Sequence, residues 1–467
     1  MCVRPTPETG FDLEVPVLII GAGACGMVAA LSALDSALDS GGEVLVVEAD
    51  AVPSGSTALS AGLIPAAGTR FQAAAGIDDN GGLFAGDIQD KAKGENPQDL
   101  VDLLAAKAGP VVDWLADRFD FPFSVVTDFD YPGHSRRRMH GLPTRAGREL
   151  VDRLRAACEA NGIDIVCNRR AGTLFREGER ITGVEVEGPE GPERIGCETL
   201  ILACNGFGGN RGMVARFMPE IETALWFGHD GNKGDAVIWG EALDADCLHL
   251  GAYQGHGNVA TPHGILITWA VITEGGVQVN TEGKRFWDES QGYSEAAQAV
   301  LRQPDGIAWT IFDARIAGIA RQFEDFKDAE KAGAIKTAET PEELAEACRL
   351  PPSALVKTLA AVPNDGVDAF GRRFAAAPLS APYHAVKVTG ALFHTQGGLN
   401  VTPEARVKHT DGTAFPNLFA AGGAAVGVSG TGDSGYLSGN GLLSAVVLGF
   451  IAGQRAALDT RKQLPRV

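Results

Sequence analysis

The chain has 467 residues, 45% of them apolar and 21% charged, which is too long for one small core and suits two or three globular domains. Its formal net charge of −19 excludes the basic surface that nucleic acid needs, and the short run Arg136-Arg137-Arg138 does not reverse that. Eight cysteines with no CxxC pair and no zinc-spaced Cys/His cluster argue against a metal site and for reduced thiols.

The N-terminal residues lack a basic stretch followed by an apolar one, so no signal peptide is expected. No apolar run is read as a membrane span, and a cytoplasmic protein is expected. Val17–Ile20 is a short apolar run after Pro16 and reads as a buried parallel strand. Gly21-Ala22-Gly23-Ala24-Cys25-Gly26 follows at once. Met27–Ala37 then reads as a helix, Gly41-Gly42 as its break, and Glu43–Val47 as a second strand ending at Glu48. A strand, a GxGxxG turn, a helix and an acid about 20 residues on form a dinucleotide-binding unit. Gly21, Gly23 and Gly26 allow the tight turn and the approach of a pyrophosphate to the helix N-terminus, and Glu48 can accept from a ribose hydroxyl.

Thr199–Cys204 reads as a further strand running into Asn205-Gly206-Phe207-Gly208-Gly209-Asn210. Residues 252–378 differ in character. They hold Trp- and Phe-rich pieces, a polar helical region at Phe323–Arg349 and Pro351-Pro352, and read as an inserted domain. Asn417–Ala421 is again a strand, ending at Gly422-Gly423, and a helix is expected from about Gly441 to Ala457.

Over nearly its whole length the chain resembles the fumarate reductase/3-ketosteroid Δ1-dehydrogenase superfamily of FAD-dependent oxidoreductases. The shared pieces, in order, are GAGACG, GSTALSAG (55–62), GHSRRRMH (133–140), LACNGFGGN (202–210), GNKGDA (231–236), VNTEGKRFWDES (279–290), HTQGGLNV (394–401), NLFAAGG (417–423) and SGNGLL (438–443). The resemblance implies an α/β fold. A Rossmann-like FAD-binding domain would be built from 1–251 and 379–467, with an α+β capping domain inserted at 252–378 and the active site between them. It implies cofactor contacts at Gly21, Gly23, Ala24, Cys25, Gly26, Glu48, Ser56, Thr57, Ser60, Ala203, Gly206, Gly422, Gly423, Gly439 and Leu442. Covalent-flavin relatives carry a His near Ser54-Gly55-Ser56-Thr57; its absence here implies non-covalent FAD. Many relatives have an acid or amide where this chain has Gly423.

The same resemblance bears on chemistry. Fumarate-reductase-like members carry an acid and an Arg where this chain has Trp269 and Ile272, and a proton-donating Arg where it has Tyr293. An apolar side chain cannot pair a substrate carboxylate. The ketosteroid and cyclic-ketone dehydrogenase branch is closer. It implies desaturation of an apolar ketone, a steroid or a smaller ring, with Tyr293 taking the α-proton while the β-hydride passes to flavin N5. Tyr436 and the amide of Gly439 or Gly441 would hold the carbonyl oxygen. Tyr131 is a candidate helper, His256 and His394 stand where substrate-binding histidines occur in the reductase branch, and Arg138 and His140 are further candidates. Two alternatives stay open: reduction of an activated alkene acid, with Arg138 as a carboxylate anchor, and a flavoprotein subunit that passes electrons to a partner. No second dinucleotide motif identifies the electron acceptor.

Overall fold

The computed structural model describes residues 2–37, 43–127, 130–375 and 377–463. It forms two compact units: residues 1–217, 228–253 and 394–467, and residues 218–227 and 254–393.

The first unit is organised on a sheet of nine strands among the described residues. At its centre Leu13–Ile20 pairs in parallel with Val44–Val47 on one side and with Gly191–Leu202 on the other. Val44–Val47 also pairs in parallel with Asp164–Val166, and Gly191–Leu202 with Ala414–Ala420. Leu18, Ile19, Leu200 and Ile201 are fully buried, as a parallel sheet covered on both faces requires. Arg180–Gly188 pairs antiparallel with Arg170–Glu177 on one side and with Gly191–Leu202 on the other.

Two helices close on this sheet. Ala24–Ala37 starts three residues earlier than its Ala/Leu-rich run suggests, because the Gly21-Ala22-Gly23 turn leads straight into it. The expected break at Gly41-Gly42 lies outside the described residues. The second helix, Asn440–Gln463, extends beyond the Gly441–Ala457 expectation. Small residues let the pair approach: a Cβ on Gly453 would stand 2.0 Å from Ala29 O, and one on Gly449 would stand 2.6 Å from Cys25 O. The expectation of no apolar run of spanning length is corrected here. Asn440–Thr460 is long and apolar enough to cross a membrane, but 61% of its apolar window is buried inside the unit, which fits a core helix.

The second unit is built on a mixed sheet in which Tyr383–Thr395 pairs antiparallel with Ile307–Asp313 and Ile335–Ala338, and parallel with Leu225–Trp226. This pairing explains two departures from expectation. The unit runs to residue 393 rather than 378, because 383–389 is the ladder partner of 307–313. The polar region Phe323–Arg349 is not one helix but two, Glu324–Lys331 and Pro341–Cys348, separated by the strand Ile335–Ala338. Gly333, at φ +70°, turns the chain out of the first helix.

Candidate active site

In the first unit the N-terminal glycines divide by what surrounds them. Gly21 has φ +104°, and a Cβ there would meet Ala203 O at 2.6 Å. A Cβ on Gly26 would fall 1.8 Å from Gly21 O. These two are held by backbone, so they shape the turn. Gly23 differs: a Cβ would meet nothing nearer than Thr57 Oγ1 at 3.5 Å. The space beside Gly23 is open at the start of a 14-residue helix, where backbone N–H groups and the helix dipole favour an anion. Thr57 Oγ1 accepts from Ala24 N at 3.1 Å and lines that space. Glu48, 9% exposed, accepts from Ala22 N at 2.7 Å through one oxygen and from Asp50 N at 2.9 Å through the other. Each carboxylate oxygen has a second lone pair, so Glu48 can still receive a ribose hydroxyl. The open cradle, the helix N-terminus and the acid fit a dinucleotide.

The remaining cofactor candidates gather in the same unit. Cys25 is buried, and a Cβ on Gly422 would lie 3.2 Å from its Sγ. Burial pushes the Cys25 thiol far above the ordinary range, so it is a small apolar filler. Ser60 serves the loop itself: its Oγ donates to Thr57 O at 2.7 Å and accepts from Gly62 N at 3.1 Å. Gly206 leaves no room, since a Cβ would stand 1.9 Å from Thr395 Oγ1. Leu442 is half-buried against the core.

Tyr436 precedes the helix Asn440–Gln463 and is 6% exposed. Its oxygen accepts from the amides of Gly441 and Gly439, while burial pushes its hydroxyl up to about 12. The two amides therefore serve the Tyr436 oxygen in this state, and the phenol keeps its proton to donate. Gly439, at φ +89°, makes the turn that presents them. His394 is fixed by a relay. Asn440 Nδ2 reaches Ser429 Oγ at 3.2 Å, Ser429 Oγ reaches Gln396 Oε1 at 2.9 Å, and Gln396 Nε2 reaches His394 Nδ1 at 2.8 Å. That orientation makes Nδ1 the acceptor and leaves the proton of the neutral ring on Nε2. Burial holds His394 down to about 4.

Three sequence candidates of this unit have structural roles. Arg138 is fully buried, with Nε and Nη2 on the two oxygens of Asp79 at 3.0 Å each and Nη1 on Asp87 and on His134 Nδ1. Four of its five N–H donors are so engaged and the side chain is fully buried, which disfavours a role as a substrate anchor. His140 bonds Thr69 Oγ1 at 2.7 Å and Arg138 O at 2.9 Å, which uses both ring nitrogens. Tyr131 packs in an apolar cluster with Leu63, Val126 and Met139, and burial drives its hydroxyl above the ordinary range, away from a base.

In the second unit the candidates form an aromatic cluster. The His256 ring is sandwiched between Tyr293, at 4.9 Å, and Phe393, at 5.2 Å, with Trp269 edge-on at 5.7 Å. Its Nδ1 accepts from Asn258 N at 3.2 Å, and burial lowers it to about 3, so it is neutral. Tyr293 is the first residue of the helix Tyr293–Leu301, where the dipole favours a phenolate. Ile272 and Trp269 are buried and apolar. The arginines near them are committed. Arg285 reaches Glu289 Oε1 at 2.9 Å and also bonds Asp368. Arg372 reaches Glu289 at 3.0 Å, Ile272 O at 2.7 Å and Gly276 O at 2.9 Å. Sequence reading missed Arg372, whose partners lie 83 to 100 residues away.

A family model described as FAD binding domain matches residues 16–442. A probable fumarate reductase of Shewanella frigidimarina is 31% identical over 454 residues, which is 94% of this chain and 74% of that protein. A 3-oxosteroid 1-dehydrogenase of Mycobacterium tuberculosis is 28% identical over 366 residues, 68% of this chain and 64% of that protein. Among solved structures, the open conformation of a flavocytochrome c3 fumarate reductase superposes with a TM-score of 0.81 at 28% identity, covering 97% of this chain and 79% of the other.

Proposed function

The chain belongs to the FAD binding domain family and is an FAD-dependent oxidoreductase acting on CH–CH groups; on that premise we propose that its substrate is an apolar ketone, a steroid or a smaller ring, desaturated beside the carbonyl. Bound FAD supplies the two-electron acceptor that such an oxidation needs. The observation that carries the reading is the cluster of His256, Trp269, Tyr293 and Phe393, whose neighbouring arginines are already neutralised by Glu289 and Asp368. Such a cluster suits a ring and, with His256 neutral, brings no cation of its own to a carboxylate.

Within this reading Tyr293 takes the proton from the carbon beside the carbonyl. A free phenol has a pKa of about 10, so the base needs support. The N-terminus of its helix gives some, and the stacked, neutral His256 fixes the plane of the ring. Tyr436 donates to the carbonyl oxygen as negative charge grows there, its own oxygen oriented by the Gly439 and Gly441 amides.

The likeness to a probable fumarate reductase supports a second reading, reduction of an alkene acid. That reaction needs a free cation for the acid group. Arg138, Arg285 and Arg372 are each held by buried carboxylates. The test is Tyr293→Phe assayed with ring ketones and a dye acceptor. A base contributes about 10²–10⁴-fold, so turnover falls by that factor while FAD is retained. Undiminished turnover would remove Tyr293 from the chemistry.

A further inference from the structure

Ser56 lies in the short helix Gly55–Ala58, next in the chain to the Thr57 that lines the cradle. Its Oγ receives two side-chain amides, Asn205 Nδ2 at 3.0 Å and Asn232 Nδ2 at 2.9 Å. The Asn205 amide has a defined orientation, because its Oδ1 accepts from Gly206 N at 2.8 Å. A hydroxyl has two lone pairs and one proton. With both lone pairs filled, the proton is what remains to be used, and among the described residues no protein acceptor receives it. Its direction is set by the two amides.

Asn205 can hold this post for two reasons. Its backbone is left-handed, at φ +65°, a conformation in which Asn is enriched among non-glycine residues. The space its carboxamide fills is free because residue 423 has no side chain: a Cβ on Gly423 would stand 2.2 Å from Asn205 Oδ1. All four residues, 56, 205, 232 and 423, belong to the first unit.

We propose that Asn205 and Asn232 lock the Ser56 hydroxyl as a one-way hydrogen-bond donor to an acceptor atom of bound FAD, and that Asn205 depends on the glycine at 423 to do so. Ser56 touches the cofactor. The two asparagines are positioning residues that act through it.

The experiment is titration of apo-protein with FAD, followed by flavin fluorescence, with folding checked by circular dichroism and urea midpoint. Ser56→Ala weakens FAD binding about tenfold, the worth of one good hydrogen bond. Asn205→Gly, which suits the left-handed backbone, weakens it by a similar factor. The double variant is no weaker than either single one, because the residues act as one device. Asn205→Asp also matches Ser56→Ala: the carboxylate takes the Ser56 proton for itself, at nearly unchanged volume. Gly423→Ala displaces Asn205 and gives the same loss, with no further loss on top of Asn205→Gly. Losses that multiply, or an Asn205→Gly protein that binds FAD as the parent does, would overturn the proposal. Should Asn205→Gly fail to fold, Asn232→Ala combined with Ser56→Ala runs the same cycle: a shared loss supports the lock, and losses that multiply overturn it.

Discussion

The two units hold a neutral histidine by different means. In the first, His394 is oriented by a string of side-chain hydrogen bonds that begins at Asn440 and passes through Ser429 and Gln396. In the second, His256 is held by ring faces, with one backbone amide on Nδ1. Hydrogen bonds fix a tautomer and a direction. Stacked rings fix a plane and keep water away. The first unit is thus organised to aim polar groups, as Ser56, Tyr436 and Glu48 also show. The second packs its histidine into an apolar, aromatic cluster.

The contrast is easiest to break at the glycines. Gly26→Val puts a side chain where Gly21 O stands, 1.8 Å from the Cβ position, so no folded protein is expected in soluble expression. Gly23→Val meets open space instead. It should give a folded protein without bound FAD, seen as a normal circular dichroism spectrum and no flavin absorbance. If both variants behaved alike, the distinction between a turn-shaping and a cofactor-facing glycine would fail.

Next in size is Arg138→Met. It leaves Asp79 and Asp87 without their counter-charge in the interior, a change that typically costs about 3–5 kcal/mol. The urea midpoint should drop sharply while substrate preference stays the same. A preserved midpoint with altered preference would restore Arg138 as a substrate anchor.

Tyr436→Phe removes one donor to a developing oxyanion and should cost about 10²–10³-fold in kcat, more than it changes KM. It should also weaken binding of phenols that mimic the enolate, followed by flavin absorbance. Tyr293→Phe should leave most of that binding intact. Equal behaviour of the two variants would defeat the division of base and carbonyl donor.

The smallest effect is on pH dependence. In the folded chain burial lowers His256 to about 3 from its ordinary 6.5. Above 6.5 both folded and unfolded states are neutral at this residue and its contribution is fully present. As pH falls below 6.5 the unfolded chain binds a proton that the folded chain refuses, so stability declines until the folded value is reached. The slope is about 1.4 kcal/mol per pH unit for one histidine. His256→Phe keeps the stack and removes the titration, so urea midpoints between pH 6 and 4 should decline less steeply, by about that slope. An unchanged slope would mean that His256 is protonated inside the fold.

The same contrast explains what was legible in the sequence. The strand, the GxGxxG turn, the helix and Glu48 are neighbours in the chain, and local rules suffice to read them. The segments around Gly206 and Gly422 are legible for the same reason. Asn205 and Asn232 lie in recognisable segments, but their bonds to Ser56 join residues 149 and 176 positions apart, which no local pattern carries. Arg138 stands in a short basic run and is read from the sequence as a candidate carboxylate anchor, but its partners Asp79 and Asp87 lie 59 and 51 residues away. In the second unit Tyr293, His256 and Trp269 are picked out singly by the sequence, and their packing against one another is not. Nor is the long strand Tyr383–Thr395, because its partners are set by tertiary pairing.

A flavoprotein whose substrate surface takes a ketone ring and not a carboxylate should distinguish the two in a single mixing experiment. The oxidised protein is mixed, without oxygen, with saturated ring ketones and, separately, with saturated dicarboxylates. A ketone should bleach the flavin absorbance, and dicarboxylates should leave it unchanged. Bleaching by a dicarboxylate, with ketones inert, would contradict the ketone assignment.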